Sequence, residues 1–426
     1  DARFNKTIQV ATAKARDQIK PDKDVQPGPV KLDVTAPASK LGFTDEEFRQ
    51  WIIEQAARQA RSPDLQAQAR AAAAQNDFKK AGDLEAQAMD RLAETYARGK
   101  PLRQHGPLWL APPAIVQLVD NSRPLSAEEL ERLALELIEG YRFAGHAYYN
   151  AYEFEAALRS YTRAVQYVLK DESPELWAEI QLDIGRASTM LGTRTEGSAI
   201  GRLLAQAVDA YRAALEIRTR KHLPEGWAQT HNNLAKAAFL LEDWPTAAES
   251  YRNVLTLYPD YTEAYQVATS VYHEKLFAYT SAFELSKQWV ERHPNDLSAQ
   301  ANFAEAHLTT GRHGEVERQL GELLKKPDLD SSSAVGLRIV EIVNALALKK
   351  VESVPQKLQE LRAFISTQPE SLHADWSLDG TTHYVQTEQV FTPYRPWLME
   401  LFDVVKSKDR AALLAALDRV QASIKP

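Results

Sequence analysis

The stretch Ala207–Ala228, AVDAYRAALEIRTRKHLPEGWA, has a near twin fifty residues upstream in Ala157–Ala178, ALRSYTRAVQYVLKDESPELWA. Alanine, tyrosine, alanine, proline, tryptophan and alanine stand at matching offsets in both. On a helix, steps of four and three residues place Ala157, Tyr161 and Ala164 on one face, and Ala207, Tyr211 and Ala214 likewise. Small side chains let a neighbouring helix come close, and the tyrosine ring fills the space between, a burial worth roughly 1.5–3 kcal/mol. Ala247, Tyr251 and Val254 make a third copy. The pattern is a packing code for helix pairs.

Twelve residues before the alanine, the preceding helix should present a small residue where its partner crosses. Gly145 stands there for Ala157 and Ala235 for Ala247, whereas Gly185 lies twenty-two before Ala207. A ten-residue insertion within LGTRTEGSAIGRLL, between 192 and 206, accounts for the difference. Pro259, Pro294 and Pro327, at intervals of 35 and 33, punctuate later units. A period near 34 points to stacked helix pairs.

With Gly145, Tyr148, Ala157, Tyr161 and Ala164, then Ala235, Ala247, Tyr251 and Pro259, the chain resembles the tetratricopeptide repeat (TPR) family. The blocks WAEIQLDIGRASTMLGTRTEG and TRKHLPEGWAQTHNNLAKA look like bacterial arrays of that family, in which the first helix of a pair opens with Trp-Ala and carries Asn-Asn-Leu. Units near 263–296 and 297–328 depart from the pattern, with Ser286 and Leu320 at the tyrosine positions and Val316 at an alanine position. They rest on proline spacing, Ala282 and Ala304. The resemblance implies an all-α solenoid of stacked antiparallel helix pairs, a TPR-like superhelix with a helical N-terminal segment and C-terminal capping helices.

The remaining chain falls into place around this array at 125–330. Residues 1–40 read as a tail or linker with a short helix around Phe4–Ile19. Residues 41–100 read as a helical hairpin region, opened by the capping box Thr44/Glu47 and TPR-like from about 63. A Pro-rich connector follows at 101–124, and a second capping box, Ser126/Glu129, starts the array. Beyond it, 331–426 should hold one more helix pair and closing helices at 394–406 and 408–423, with an irregular stretch at 371–393 that contains a short strand at His383–Gln386.

Composition bounds the function classes. The 426 residues are 26% charged and 44% hydrophobic with a net charge of −7, so the chain is globular and lacks the positive excess of a nucleic-acid binder. There is no cysteine, which removes thiol catalysis, disulfides and thiolate zinc sites. No run of about 18 apolar residues exists, so no membrane insertion is expected. The chain starts at Asp1 and reads as a processed or trimmed form; the expected compartment is the cytoplasm, or the periplasm if a signal segment was removed.

A search for chemistry yields no Walker loop, no G-x-S-x-G and no G-x-G-x-x-G, and HEKLF at His273 fails H-E-x-x-H because position 277 is Phe. His307 and His313 read as a satisfied surface pair, the helix carboxylates as a solvated face, and Trp177 and Trp227 as packing anchors. No catalytic residue, metal or cofactor is expected. The repeat register instead places Arg142, His146 and Tyr149, then Arg186, then Asn232, Asn233 and Lys236 on the first helices of three successive pairs. In the family those helices line a concave groove that takes peptides. Three cations with amides and an aromatic ring would suit an acidic or C-terminal segment. Some relatives hold a C-terminal carboxylate with Lys and Asn at fixed positions; Asn233 falls on one such position and the others do not match.

The expected function is therefore a non-enzymatic scaffold or adaptor that binds a protein or peptide segment. A second reading is the sensor or regulatory portion of a larger effector, and a third an enzyme housed in 1–124 or 371–426. The last has no coherent acid, base and nucleophile set behind it.

Overall fold

The computed structural model describes residues 2–16, 31–33, 44–99, 125–369, 377–406 and 409–423. The expected linker at 17–40, apart from 31–33, and the connector at 101–124 lie outside the described residues. Among those described, the fold is all-α, with nineteen α-helices. They group into two compact units, Asp1–Leu241 and Glu242–Pro426.

The first unit holds α1 (Ala2–Arg16), α2 (Asp45–Gln59), α3 (Leu65–Ala74), α4 (Phe78–Gly99), α5 (Ala127–Asn150), α6 (Phe154–Val165), α7 (Pro174–Arg194), α8 (Ala199–Leu215) and α9 (Pro224–Leu240). Consecutive helices pack as hairpins: α3 on α4, α5 on α6, α7 on α8. The steps between α4 and α5, α6 and α7, and α8 and α9 are packed as well, so each hairpin stacks on the next. Both capping boxes form, with the Thr44 and Ser126 hydroxyls accepting from the backbone N–H of Glu47 and Glu129.

The packing code is visible atom by atom. A Cβ placed on Gly145 would lie 2.4 Å from the Tyr161 ring, and one on Gly185 2.5 Å from Tyr211. Gly82 on α4 meets Tyr148 in the same way at 2.8 Å. Tyr161, Tyr211 and the alanines beside them are fully buried or nearly so. The ten-residue insertion lengthens both members of its hairpin: α7 and α8 run 21 and 17 residues against 17 in α9 and 12 in α6.

The turn inside the α3–α4 and α5–α6 hairpins also repeats. Asn76 and Tyr152 adopt left-handed φ of 63° and 62°, and the N–H of the next residue reaches back five residues, Asp77 to Ala72 O and Glu153 to Tyr148 O, each at 2.9 Å. This Schellman closure satisfies the carbonyls left open at a helix end.

The second unit contains α10 (Trp244–Leu255), α11 (Thr262–Ser270) running into a π turn at Val271–Lys275, α12 (Tyr279–Arg292), α13 (Leu297–Thr309), α14 (His313–Leu323), α15 (Ser331–Ala347), α16 (Val354–Thr367), α17 (Asp379–Thr387), α18 (Arg395–Lys406) and α19 (Arg410–Ser423). The same closure recurs from Arg312 to His307 O and from Lys350 to Ala345 O, again at 2.9 Å, with Gly311 and Lys349 left-handed. Where Ser286 replaces the tyrosine, the fully buried Trp289 three residues on supplies the ring, stacked 6.2 Å from Tyr265. Leu320 and Val316 are buried in the positions the repeat assigned them.

Two expectations for this unit need correction. The segment His383–Gln386 is part of helix α17, not a strand; Thr381, Tyr384 and Val385 are buried, at helical steps, with Tyr384 against Phe391 at 5.6 Å. His307 is no surface residue either. It is buried between Phe283 and Phe303, 5.1 and 4.3 Å away, while His313 Nδ1 donates to Asn344 Oδ1 at 3.0 Å.

Candidate interaction face

All seven residues singled out by the repeat register lie on α5, α7 and α9 of the first unit. Of these, α5 and α7 are the first helices of their hairpins, and α9 packs on α8. What the register did not foresee is that α1 packs on this same set of helices, against α5 and α3, and reaches α7 with its last residue.

The α1 sequence ARFNKTIQVATAKAR is amphipathic, with Phe4, Ile8, Ala11, Thr12 and Ala15 buried. Phe4 and Ile8 join Phe48, Ile52, Phe143 and Ala147 in one apolar cluster, and Phe4 meets Trp51 edge-on at 6.2 Å. Burying two such side chains is worth about 1.5–3 kcal/mol each. Polar contacts fix the register: the Asn150 side-chain amide on α5 donates to Thr12 O at 2.8 Å, and Arg16 pairs with Asp183 on α7.

Asp183 is the electrostatic centre. It is 2% exposed and meets Arg16, His146 Nε2 at 3.2 Å and Arg142 Nη2 at 3.5 Å. Burial alone would raise its carboxyl, but Arg16, the hydrogen bond from His146 and Arg142 overcome that and hold it well below the usual carboxylate range. His146 is pushed down to about 4 by burial and by the Arg16 guanidinium, whose Nη1 lies 2.8 Å from its Nε2. Neutral imidazole, a carboxylate and two guanidiniums thus share one site. Arg142 also pairs with Glu179 at 2.9 Å.

The structure brings Arg142 and His146 together through Asp183. Tyr149 is buried, 5.0 Å edge-on to Phe154, and burial pushes its phenol up. Arg186 is partly exposed on α7 in the field of Tyr149, Tyr211 and Arg218. Asn232, Asn233 and Lys236 are half-buried on α9. Asn232 Oδ1 and Asn233 Nδ2 are enclosed with no hydrogen-bond partner among the described residues. Such groups cost about 1–3 kcal/mol when left unsatisfied.

Arg16, Asp183 and Asn150 escaped the sequence reading. Carboxylates on amphipathic helices read as facing water, and Asp183 in IQLDIGRAS has charged Glu179 and Arg186 as well as buried Ile180 and Ala187 at helical steps, so its burial is not marked in the sequence. Arg16 sits in the short N-terminal helix, which the repeat pattern does not reach.

A second polar cluster belongs to the other unit, at the π turn. His273 is buried and pushed down to about 4 by burial, its Nε2 3.2 Å from Thr309 Oγ1, and Glu305 accepts from Thr381 Oγ1 at 2.6 Å. Burial and the Glu305 charge raise Glu274 to about 7. Tyr279 donates to Gly380 O at 3.0 Å, and Phe277 stacks on His383 at 3.8 Å. These contacts dock α17 on the π turn. Among the described residues no three His, Asp or Glu side chains are grouped to hold a metal ion, and no helix is long and apolar enough to cross a membrane.

No family model matches the chain, and no curated protein matches it. Among solved structures it is similar to one described as the crystal structure of MamA protein, at 18% identity and a TM-score of 0.34, over 45% of this chain and 96% of that one.

Proposed function

We propose that the chain is a non-enzymatic TPR-type scaffold whose first unit binds a protein segment along the first helices of its hairpins. The observation that carries this reading is α1 itself: the face formed by α3, α5 and α7 accommodates an amphipathic helix, with apolar contacts at one end and a buried ion pair at the other. A surface that seats one helix in this way has the features of helix-in-groove recognition. Arg142 is already paired with Glu179 and Asp183, so it offers no open cation to an acidic segment.

The test is capture of partners by the full chain and by a variant with Arg142, Asn232 and Lys236 changed to Ala, with thermal unfolding to confirm the fold. Recovery of at least one specific partner should fall fivefold or more. Unchanged recovery of every partner would contradict the assignment.

A further inference from the structure

We propose that α1 is a tethered stand-in for a partner helix, and that this partner is an amphipathic helix with two large apolar side chains four residues apart followed two turns later by an arginine. The inference rests on the proposed binding face and deepens it by naming what the face takes and what must leave.

The chemistry is read from the occupant. Phe4, Ile8, Thr12 and Arg16 follow at steps of four along α1, with Ala11 and Ala15 beside them, so one stripe carries ring, branched aliphatic, small residues and guanidinium in that order. The face answers each part: Phe143, Ala147, Phe48 and Ile52 around the rings and aliphatic groups, the Asn150 amide for a backbone carbonyl, and the Asp183 carboxylate for the guanidinium. A lysine would satisfy the charge less well than the fork of an arginine.

Two features make the seat reusable. Asp183 keeps a second cation, Arg142, and a hydrogen bond from His146, both supplied by α5, so departure of Arg16 does not leave the carboxylate alone. The hairpins α5–α6 and α7–α8 carry their own glycine–tyrosine contacts, away from α1, although Phe143 and Ala147 of α5 and the alanines of α3 share an apolar cluster with Phe4 and Ile8. A tethered helix competes at an effective concentration of order millimolar, so an incoming helix must bind better than α1 or be abundant.

The absence of cysteine makes the test clean. Val10 is 45% exposed on α1. A nitroxide on Val10→Cys in the full chain reports whether α1 is seated. Titration with a synthetic peptide of residues 2–16 should convert the immobile signal to a mobile one, saturably, and Arg16→Ala in the chain should lower the midpoint about tenfold. Arg16→Lys should fall between, and a peptide carrying Phe4→Ala and Ile8→Ala should fail at the same concentrations. A label that stays immobile to the highest peptide concentration in both Arg16 variants would overturn the proposal and leave α1 a fixed wall. A mobile fraction that instead follows the concentration of the chain itself, without peptide, would assign the seat to a second copy and overturn it too. Loss of partner capture on changing Arg142, Asn232 and Lys236, with an immovable α1, would sink this inference and leave the binding face standing.

Discussion

Arg16 and Asp183 are 167 residues apart in the chain and form a buried ion pair, with side chains 10% and 2% exposed. The pair ties the N-terminal helix to the first helix of the third hairpin in its unit. Its energetics are asymmetric. Removing a buried charge's partner is costlier than removing the pair, because the remaining charge has lost its water.

Asp183→Ala should therefore destabilise the first unit by about 3–5 kcal/mol, since Arg16 loses its carboxylate and Arg142 keeps only the more exposed Glu179. Arg16→Ala should cost only about 1–2 kcal/mol, because Arg142 and His146 still face Asp183. Urea unfolding of the two variants measures the ranking; equal effects would place the pair outside the core of the site.

The close approach of glycine and tyrosine makes a second prediction. Gly145→Ala and Gly185→Ala put a methyl group about 2.5 Å from ring carbons of Tyr161 and Tyr211, well inside van der Waals contact. Each should destabilise by about 1–3 kcal/mol through overpacking. Gly314→Ala, at an exposed position on α14 with nothing within 4 Å of the new atom, should be neutral or stabilising by up to about 1 kcal/mol. Pairing Gly145→Ala with Tyr161→Leu should cost less than the two changes summed, a non-additivity that a double-mutant cycle reads directly.

Lys349 holds the turn between α15 and α16 at φ 59° with its side chain in solvent. A β-carbon is strained there by about 1 kcal/mol, so Lys349→Gly should raise the midpoint of thermal unfolding of the second unit by a few degrees. A lowered midpoint would mean that the Schellman closure is not the conformation adopted.

His146 sets a pH dependence whose sign follows from its depressed value. The unfolded chain takes up the proton near 6.5 and the folded one near 4, so its contribution is present above about 6.5 and is lost as pH falls through that window. His146→Gln should flatten the stability profile between pH 6.5 and 4 relative to the wild type, by up to roughly 3 kcal/mol at the acid end. Buried His273 and His307 titrate in the same window, so the difference between variant and wild type, not the raw profile, carries the test.

Much of this fold was legible because repetition amplifies a weak signal. One Ala-Tyr-Ala triplet means little, but its repetition at helical steps, with Gly145 against Tyr161 and Gly185 against Tyr211, fixes which helices pair and which face they bury. The seven positions on α5, α7 and α9 followed from the same register. What lay on top of them did not. Phe4, Ile8 and Arg16 belong to a helix outside the repeat, and no periodicity links Arg16 to Asp183. The helix at 379–387 was missed for a related reason: with Gly, three Thr and Val, DGTTHYVQT is poor in helix formers, and its contacts with Tyr279 and Glu305 outweigh local propensity. Register reads what repeats; single contacts between distant segments need coordinates.

Amide hydrogen exchange over residues 2–16, measured in the full chain and in Asp183→Asn, tests the seat of α1 most directly. Strong protection from about Thr7 to Arg16 in the wild type, lost in the variant while the helices between 127 and 215 keep theirs, is the expected result. Exchange of the α1 amides at free-peptide rates in the wild type would contradict it.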